Sequence, residues 1–187
     1  MKPNYIVCKQ HGLTLLEMLI TIAILAILVS VVAPSIQTIS IKNRITADIN
    51  TLSAVAQVAR FTAINEQQNI LLCPTSNYSE CVSSWHNAKM VFIDKNENNK
   101  RDANEPLIAT GDSLNKNNEI YGITGAITFN QQGTISTNAT ITICPDSNDT
   151  SYASALLLSL YGRISTAIDT NNDGTKEDLS GNSLTCS

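Results

Sequence analysis

A glycine and an acid, five residues apart, stand at the head of the longest apolar block in this chain. Gly12 is followed by Leu13-Thr14-Leu15-Leu16-Glu17, and Glu17 is the only charged residue between positions 13 and 33. Two chemistries are available there. Glycine has no Cβ, so a peptidase at a membrane surface can approach the Gly12–Leu13 bond closely. Cleavage at that bond frees an α-amino group on Leu13, four residues before the Glu17 carboxylate. A carboxylate in an apolar span is unfavourable without a cation, which makes Glu17 a functional candidate by default.

Two later clusters offer oxygen ligands. Asp94, Asn96, Asn98, Asp102 and Glu105 occupy loop positions 1, 3, 5, 9 and 12. Asp169, Asn171, Asp173 and Gly174 repeat the first half of that pattern, with Glu177 at position 9 and Ser180 at 12. The spacing approximates an EF-hand loop, in which carboxylates and carbonyls wrap a hard cation. The first cluster has Asn99 where the pattern needs glycine, and Lys100 and Arg101 oppose a cation. The second lacks the acid at position 12. Asn/Asp/Gly clusters between strands are ordinarily turns, so both are read as turns and no cofactor is expected. Calcium on Asp169, Asn171, Asp173 and Glu177 is the alternative.

Catalytic motifs are absent: there is no nucleophile elbow, P-loop or dinucleotide fingerprint, so no enzyme is expected. Charge argues against a generally basic nucleic-acid binder. The chain carries 12 basic and 16 acidic residues, net -4, and loss of a leader bearing Lys2 and Lys9 leaves a net charge of -6. Lys42, Arg44, Lys89 and Lys100 form a local basic patch only if the fold brings them together.

The elements that must position these groups follow from the hydrophobic pattern. Residues 13–33 make a helix about 30 Å long, enough to cross a bilayer core. A secretory signal has a shorter apolar core, and Ala33-Pro34 is a poor cleavage site for one. A plain anchor explains the length and the positive leader, residues 1–12, but leaves Glu17 unexplained. Pro34 removes one helical hydrogen bond, so a kink is expected there, with the helix continuing over 34–66. Ile41, Ile45, Ile49, Leu52, Ala56, Ala59 and Ala63 recur at three- and four-residue spacing as one apolar stripe. From 67 to 187 the pattern becomes short β-rich runs: 69–73, 89–94, 106–109, 119–122, 126–130, 139–145 and 155–160. This is an α+β order, with one long helix packed against an antiparallel sheet.

Four cysteines remain beyond the leader: Cys73, Cys81, Cys144 and Cys186. They form no CxxC pair and there is no histidine cluster, so disulfides are expected rather than zinc. Three pairings are possible; proximity favours Cys73–Cys81 and Cys144–Cys186. Trp85 is expected in a satellite core near the Cys81 loop.

The segment Gly12-Leu13-Thr14-Leu15-Leu16-Glu17 resembles the N-terminal motif of type IV prepilins and type II secretion pseudopilins, with Leu13 where the family usually has phenylalanine. Pro34 lies where pilin helices commonly carry a proline. Val91-Phe92-Ile93-Asp94-Lys95-Asn96 resembles a hairpin of the FimT/GspH type. The resemblance implies a pilin-like fold, cleavage between Gly12 and Leu13 by a prepilin peptidase, and N-methylation of Leu13. It implies a single-pass protein of the bacterial inner membrane with a periplasmic C-terminal domain. That protein then enters a surface pilus or a periplasmic pseudopilus alongside minor and major pilins, an inner-membrane assembly platform and a cytoplasmic ATPase. Glu17 would pair with the Leu13 amine of a neighbouring subunit.

The expected function is therefore that of a minor pilin, an initiation or tip component of a type IV pilus. The alternatives are a type II secretion pseudopilin and a pilus-associated DNA receptor for natural transformation. For the last, Gly162-Arg163-Ile164-Ser165 resembles a segment of DNA-binding minor pilins, but Ser165 replaces their second arginine. One cation offers phosphate little. The bland reading of this stretch is a glycine turn with Arg163 solvated or paired.

Overall fold

A computed structural model of the chain describes residues 12–187, apart from the side chains of Val31, Ala33 and Pro34. The leader expected over residues 1–12 thus lies outside the described residues, except for Gly12. Helix α1 spans Leu15–Glu66. It is followed by β1 (Ile70–Thr75), β2 (Ala88–Ile93), β3 (Leu107–Gly111), β4 (Asn118–Tyr121), β5 (Ile127–Phe129), β6 (Ala139–Pro145), a short 3-10 turn, β7 (Ser154–Leu158) and β8 (Ile164–Thr166). The chain divides into two compact units that meet between Ser40 and Ile41.

In the first unit α1 is long and apolar enough to cross a membrane. Its apolar side chains, among them Leu16, Leu19, Ile24 and Leu28, are exposed. The hydroxyls in this stretch are satisfied within the helix. Thr21 Oγ1 donates to the Met18 carbonyl at 2.9 Å and Ser30 Oγ to that of Ile27 at 2.8 Å. This removes the cost of an unpaired donor in lipid. α1 is continuous across Pro34.

The second unit begins at Ile41, and its core is built on the expected helix stripe. Ile45, Ile49, Leu52, Ala56, Ala59 and Ala63 are buried, joined by Val55. α1 ends at Glu66 because Gln67 turns left-handed (φ 52°) and its side-chain amide donates to the Ile64 carbonyl at 2.7 Å.

The strands form two four-stranded antiparallel sheets, in the orders β3-β2-β1-β5 and β4-β6-β7-β8, not the single sheet expected. Alternation explains how each sheet is used. In the first, Ile70, Leu72 and Val91 join the core on α1, while Leu71, Cys73, Met90 and Phe92 form a second cluster with Cys81. In the other, Ile141, Ile143, Leu156 and Leu158 face the core. Cys144, Ala155 and Leu157 pack with Leu184 and Cys186. Each sheet thus has one face on the helix and one under a loop or tail. β1 and β7 are buried throughout, which is why they read as unbroken apolar runs. The outer covers are the segments tied by the disulfides Cys73–Cys81 and Cys144–Cys186, with Cα separations of 5.6 and 5.9 Å.

Trp85 corrects an expectation. It belongs to the main core with the α1 stripe, not to the cluster around Cys81, and its indole N–H donates to the Gly125 carbonyl at 3.2 Å.

Candidate functional site

At the start of α1, Gly12 and Leu13 precede the helix and are exposed. Among the described residues, a Cβ at position 12 would meet nothing within 4 Å, so no packing contact with them calls for glycine. Thr14 is the N-cap. Its Oγ1 accepts the Glu17 N–H at 3.2 Å and its carbonyl accepts the Met18 N–H at 3.2 Å. Thr14-x-x-Glu17 is thus the threonine half of a capping box, which the sequence carries in the spacing of these two residues. The cap fixes the helix start two residues past the Gly12–Leu13 bond and places Glu17 in the first turn, where the helix dipole favours an anion. The Glu17 carboxylate is exposed and makes no hydrogen bond or ion pair among the described residues. Thr14, Thr21 and Ser30 are each satisfied within the helix; this carboxylate is not.

Within the second unit, polar clamps lock α1 to the loops. Arg44 donates from Nε to Asn118 Oδ1 at 2.8 Å and from Nη2 to the Asn117 carbonyl at 3.0 Å. Asp48 accepts from the Asn118 side chain and the Asn115 N–H. Arg60 reaches the Gly133 and Tyr161 carbonyls at 3.1 and 3.3 Å.

Arg163 sits on the β7–β8 hairpin. Gly162 has φ 70°, and a Cβ there would fall on the Gly133 carbonyl, so the turn needs glycine for both reasons. Arg163 itself is exposed, and its guanidinium makes no hydrogen bond or ion pair among the described residues. Arg60 reaches the same hairpin at the Tyr161 carbonyl, while the lysines of the candidate patch are engaged elsewhere. Lys100 pairs with Glu80 at 3.1 Å, Lys42 lies 6.0 Å from the Tyr152 ring centre, and Lys89 is buried.

Lys89 lines a cavity of about 240 Å³ with Asp48, Thr51, Asp112 and Leu114. Burial leaves it 4 % exposed and pushes its ammonium down from 10.5 to about 8, with Asp48 opposing the fall. Between these values the unfolded chain holds more protons than the folded one, so stability rises with pH across that window. Below pH 8 the cost is about 3 kcal/mol. Lys89→Met is expected to stabilise the protein by about 1–3 kcal/mol at pH 7, with the gain fading to nothing above pH 10.5. Urea melts of both proteins at a series of pH values check this.

The two oxygen-rich loops differ. In the first, Glu105 is 2 % exposed, and both its oxygens accept backbone N–H groups, Lys95 at 2.8 Å and Asp102 at 2.9 Å. Asp102 accepts from the side-chain amides of Asn96 and Asn98. This loop is saturated by its own donors. In the second, Asp169, Asp173 and Glu177 each bring an oxygen within 4.8 Å of the others.

A model of the type II transport protein GspH matches residues 48–162, more than half of the chain. A model of the prokaryotic N-terminal methylation motif matches residues 8–33. No curated protein matches in sequence. Among solved structures, the type IV minor pilin FimU of Pseudomonas aeruginosa aligns in two crystal forms. One has 20% identity over 66% of this chain and 87% of that one, with a TM-score of 0.52. The other has 19% identity over 66% and 92%, with a TM-score of 0.51. The minor pseudopilin EpsH of Vibrio cholerae aligns at 9% identity over 66% and 95%, with a TM-score of 0.49. At these identities the FimU likeness is one of fold.

Proposed function

The chain belongs to the GspH family of minor pilins and pseudopilins, and from that premise we propose that it is a minor pilin of a type IV pilus, placed at the initiating tip. The observation that carries this reading is the unpartnered Glu17 carboxylate on the first turn of a membrane-length helix, four residues after the amine that cleavage would create. A free carboxylate in lipid is costly, and a cationic N-terminus from a second subunit relieves it only in an assembly. The role is assembly rather than turnover. The N-terminal methylation motif implies processing by a prepilin peptidase and packing with other pilins. The further partners are an inner-membrane platform and a cytoplasmic ATPase. Before assembly the protein crosses the inner membrane once, with the 67–187 domain in the periplasm.

Mass analysis of the protein recovered from its native membrane tests the first step. The expected N-terminus is Leu13 carrying one methyl group; an intact Met1 leader at steady state overturns the reading. The GspH family description favours one second reading, a pseudopilin of a type II secretion system. A deletion that spares pili but blocks export of secreted proteins would select it.

A further inference from the structure

The loop over residues 169–177 carries a buried acid that its own chain leaves half-satisfied. Glu177 is 5 % exposed. Its Oε2 accepts from the Thr170 N–H at 2.8 Å and the Thr170 hydroxyl at 3.0 Å. Its Oε1 is buried with no hydrogen-bond partner, the only such side-chain atom among the described residues. A buried carboxylate oxygen without a donor or cation is strongly unfavourable. Glu105, the buried glutamate of the other acidic loop, has both oxygens satisfied. Acidic composition alone therefore does not produce the orphan.

The Glu177 carboxylate belongs to a group of three. Ligand oxygens of Asp169, Asp173 and Glu177 lie within 4.8 Å of one another. Oxygens bound to one calcium ion at 2.3–2.6 Å are at most about 5 Å apart, so a single ion can touch all three. The Lys176 ammonium, next in sequence, is not in this group; it donates to Ser154 Oγ at 3.0 Å.

The backbone holds the group in place. The Glu177 N–H bonds to the Ile168 carbonyl at 3.1 Å, closing the loop at its base. Glu177 also pairs with Ser183 as an antiparallel bridge, and the tail beyond is anchored by Leu184 and the Cys144–Cys186 disulfide. Within the loop, Asp169 accepts the Asn172 and Gly174 N–H groups, which orients its carboxylate.

We propose that residues 169–177 form a calcium site, with the carboxylates of Asp169, Asp173 and Glu177 and the amide oxygen of Asn171 as its side-chain ligands. Four side-chain oxygens leave the remaining coordination to backbone carbonyls and water, and the affinity belongs with that of extracellular modules, a Kd of roughly 10⁻⁴–10⁻³ M. The site is independent of pilus assembly.

The test is calorimetric titration of calcium chloride into the full chain, solubilised in detergent and stripped with a chelator. Alongside it run Glu177→Gln, Asp173→Asn and, as a control in the other acidic loop, Asp102→Asn. One ion is expected to bind, with affinity reduced at least tenfold by Glu177→Gln and by Asp173→Asn and unchanged by Asp102→Asn. Asp173 is exposed, so its variant reads the site even where Glu177→Gln disturbs folding. No heat up to 10-fold above 10⁻³ M calcium, or binding that survives Asp173→Asn, overturns the proposal.

Discussion

A Glu17→Val chain is expected to be cleaved after Gly12 as efficiently as the wild type and to enter filaments about 100-fold less well. The two steps separate because they use different groups. Cleavage needs an accessible Gly12–Leu13 bond, and that bond lies before the helix, with no described residue crowding Gly12. Valine at position 17 preserves the Thr14 cap, since the cap uses only the backbone N–H of residue 17. Filament entry, on the proposed mechanism, needs the carboxylate. Removing one partner of a desolvated ion pair costs about 3–5 kcal/mol, and 3 kcal/mol is roughly two orders of magnitude in an equilibrium. Thr21 and Ser30 cannot substitute, because their hydroxyls are already bonded to helix carbonyls. Immunoblots of membrane and filament fractions distinguish mature from precursor chains and measure both effects. Equal incorporation of mutant and wild type refutes the pairing.

The second large effect is expected on stability. Replacing Cys144 and Cys186 by serine should cost about 4 kcal/mol, against about 2.5 kcal/mol for Cys73 and Cys81. In the chain-entropy account the penalty grows with the loop released, and the sequence separations are 42 and 8. The longer disulfide also holds a cover in place. The tail bearing Leu184 shields Cys144, Ala155 and Leu157 on the outer face of the second sheet. The shorter disulfide holds a smaller cover, the Cys81 segment packed on Leu71, Met90 and Phe92. Guanidinium melts of the two double variants, in detergent and without reductant, should rank them in that order. The reverse order would mean that the tail contributes little to the fold.

The hydrophobic periodicity made the helix stripe and seven of the strands legible, because each repeats on a local period. What it missed is either too short to show a period or depends on contacts between distant segments. β8 is three residues long, and its pairing with β7 across the Gly162 turn gives it its identity. The split into two sheets is decided by which strands find hydrogen-bond partners; no single run encodes it. Thr140 and Thr142 alternate with isoleucines, so β6 reads as half-exposed. Thr142 is nonetheless buried, because both faces of β6 are covered. Trp85 has no periodic context, and its place in the main core follows from the fold of the whole β2 approach.

At the candidate sites, spacing located the groups but could not show which were satisfied. Glu17 stood out by charge alone, while its cap needed Thr14 to be read as the first member of a box. The loops around Asp94 and Asp169 look alike in composition. Only the donors that reach Glu105 and miss Glu177 Oε1 tell them apart. Lys89 looked like a candidate surface cation, and its burial is set by strand placement against α1.

The most direct measurement of the central claim is pilus content in the sheared surface fraction of a deletion strain, complemented either with the wild-type chain or with Glu17→Val. The account predicts that surface pili fall sharply on deletion, return with the wild type, and do not return with Glu17→Val. Pili unchanged by the deletion, or restored equally by both chains, would contradict it.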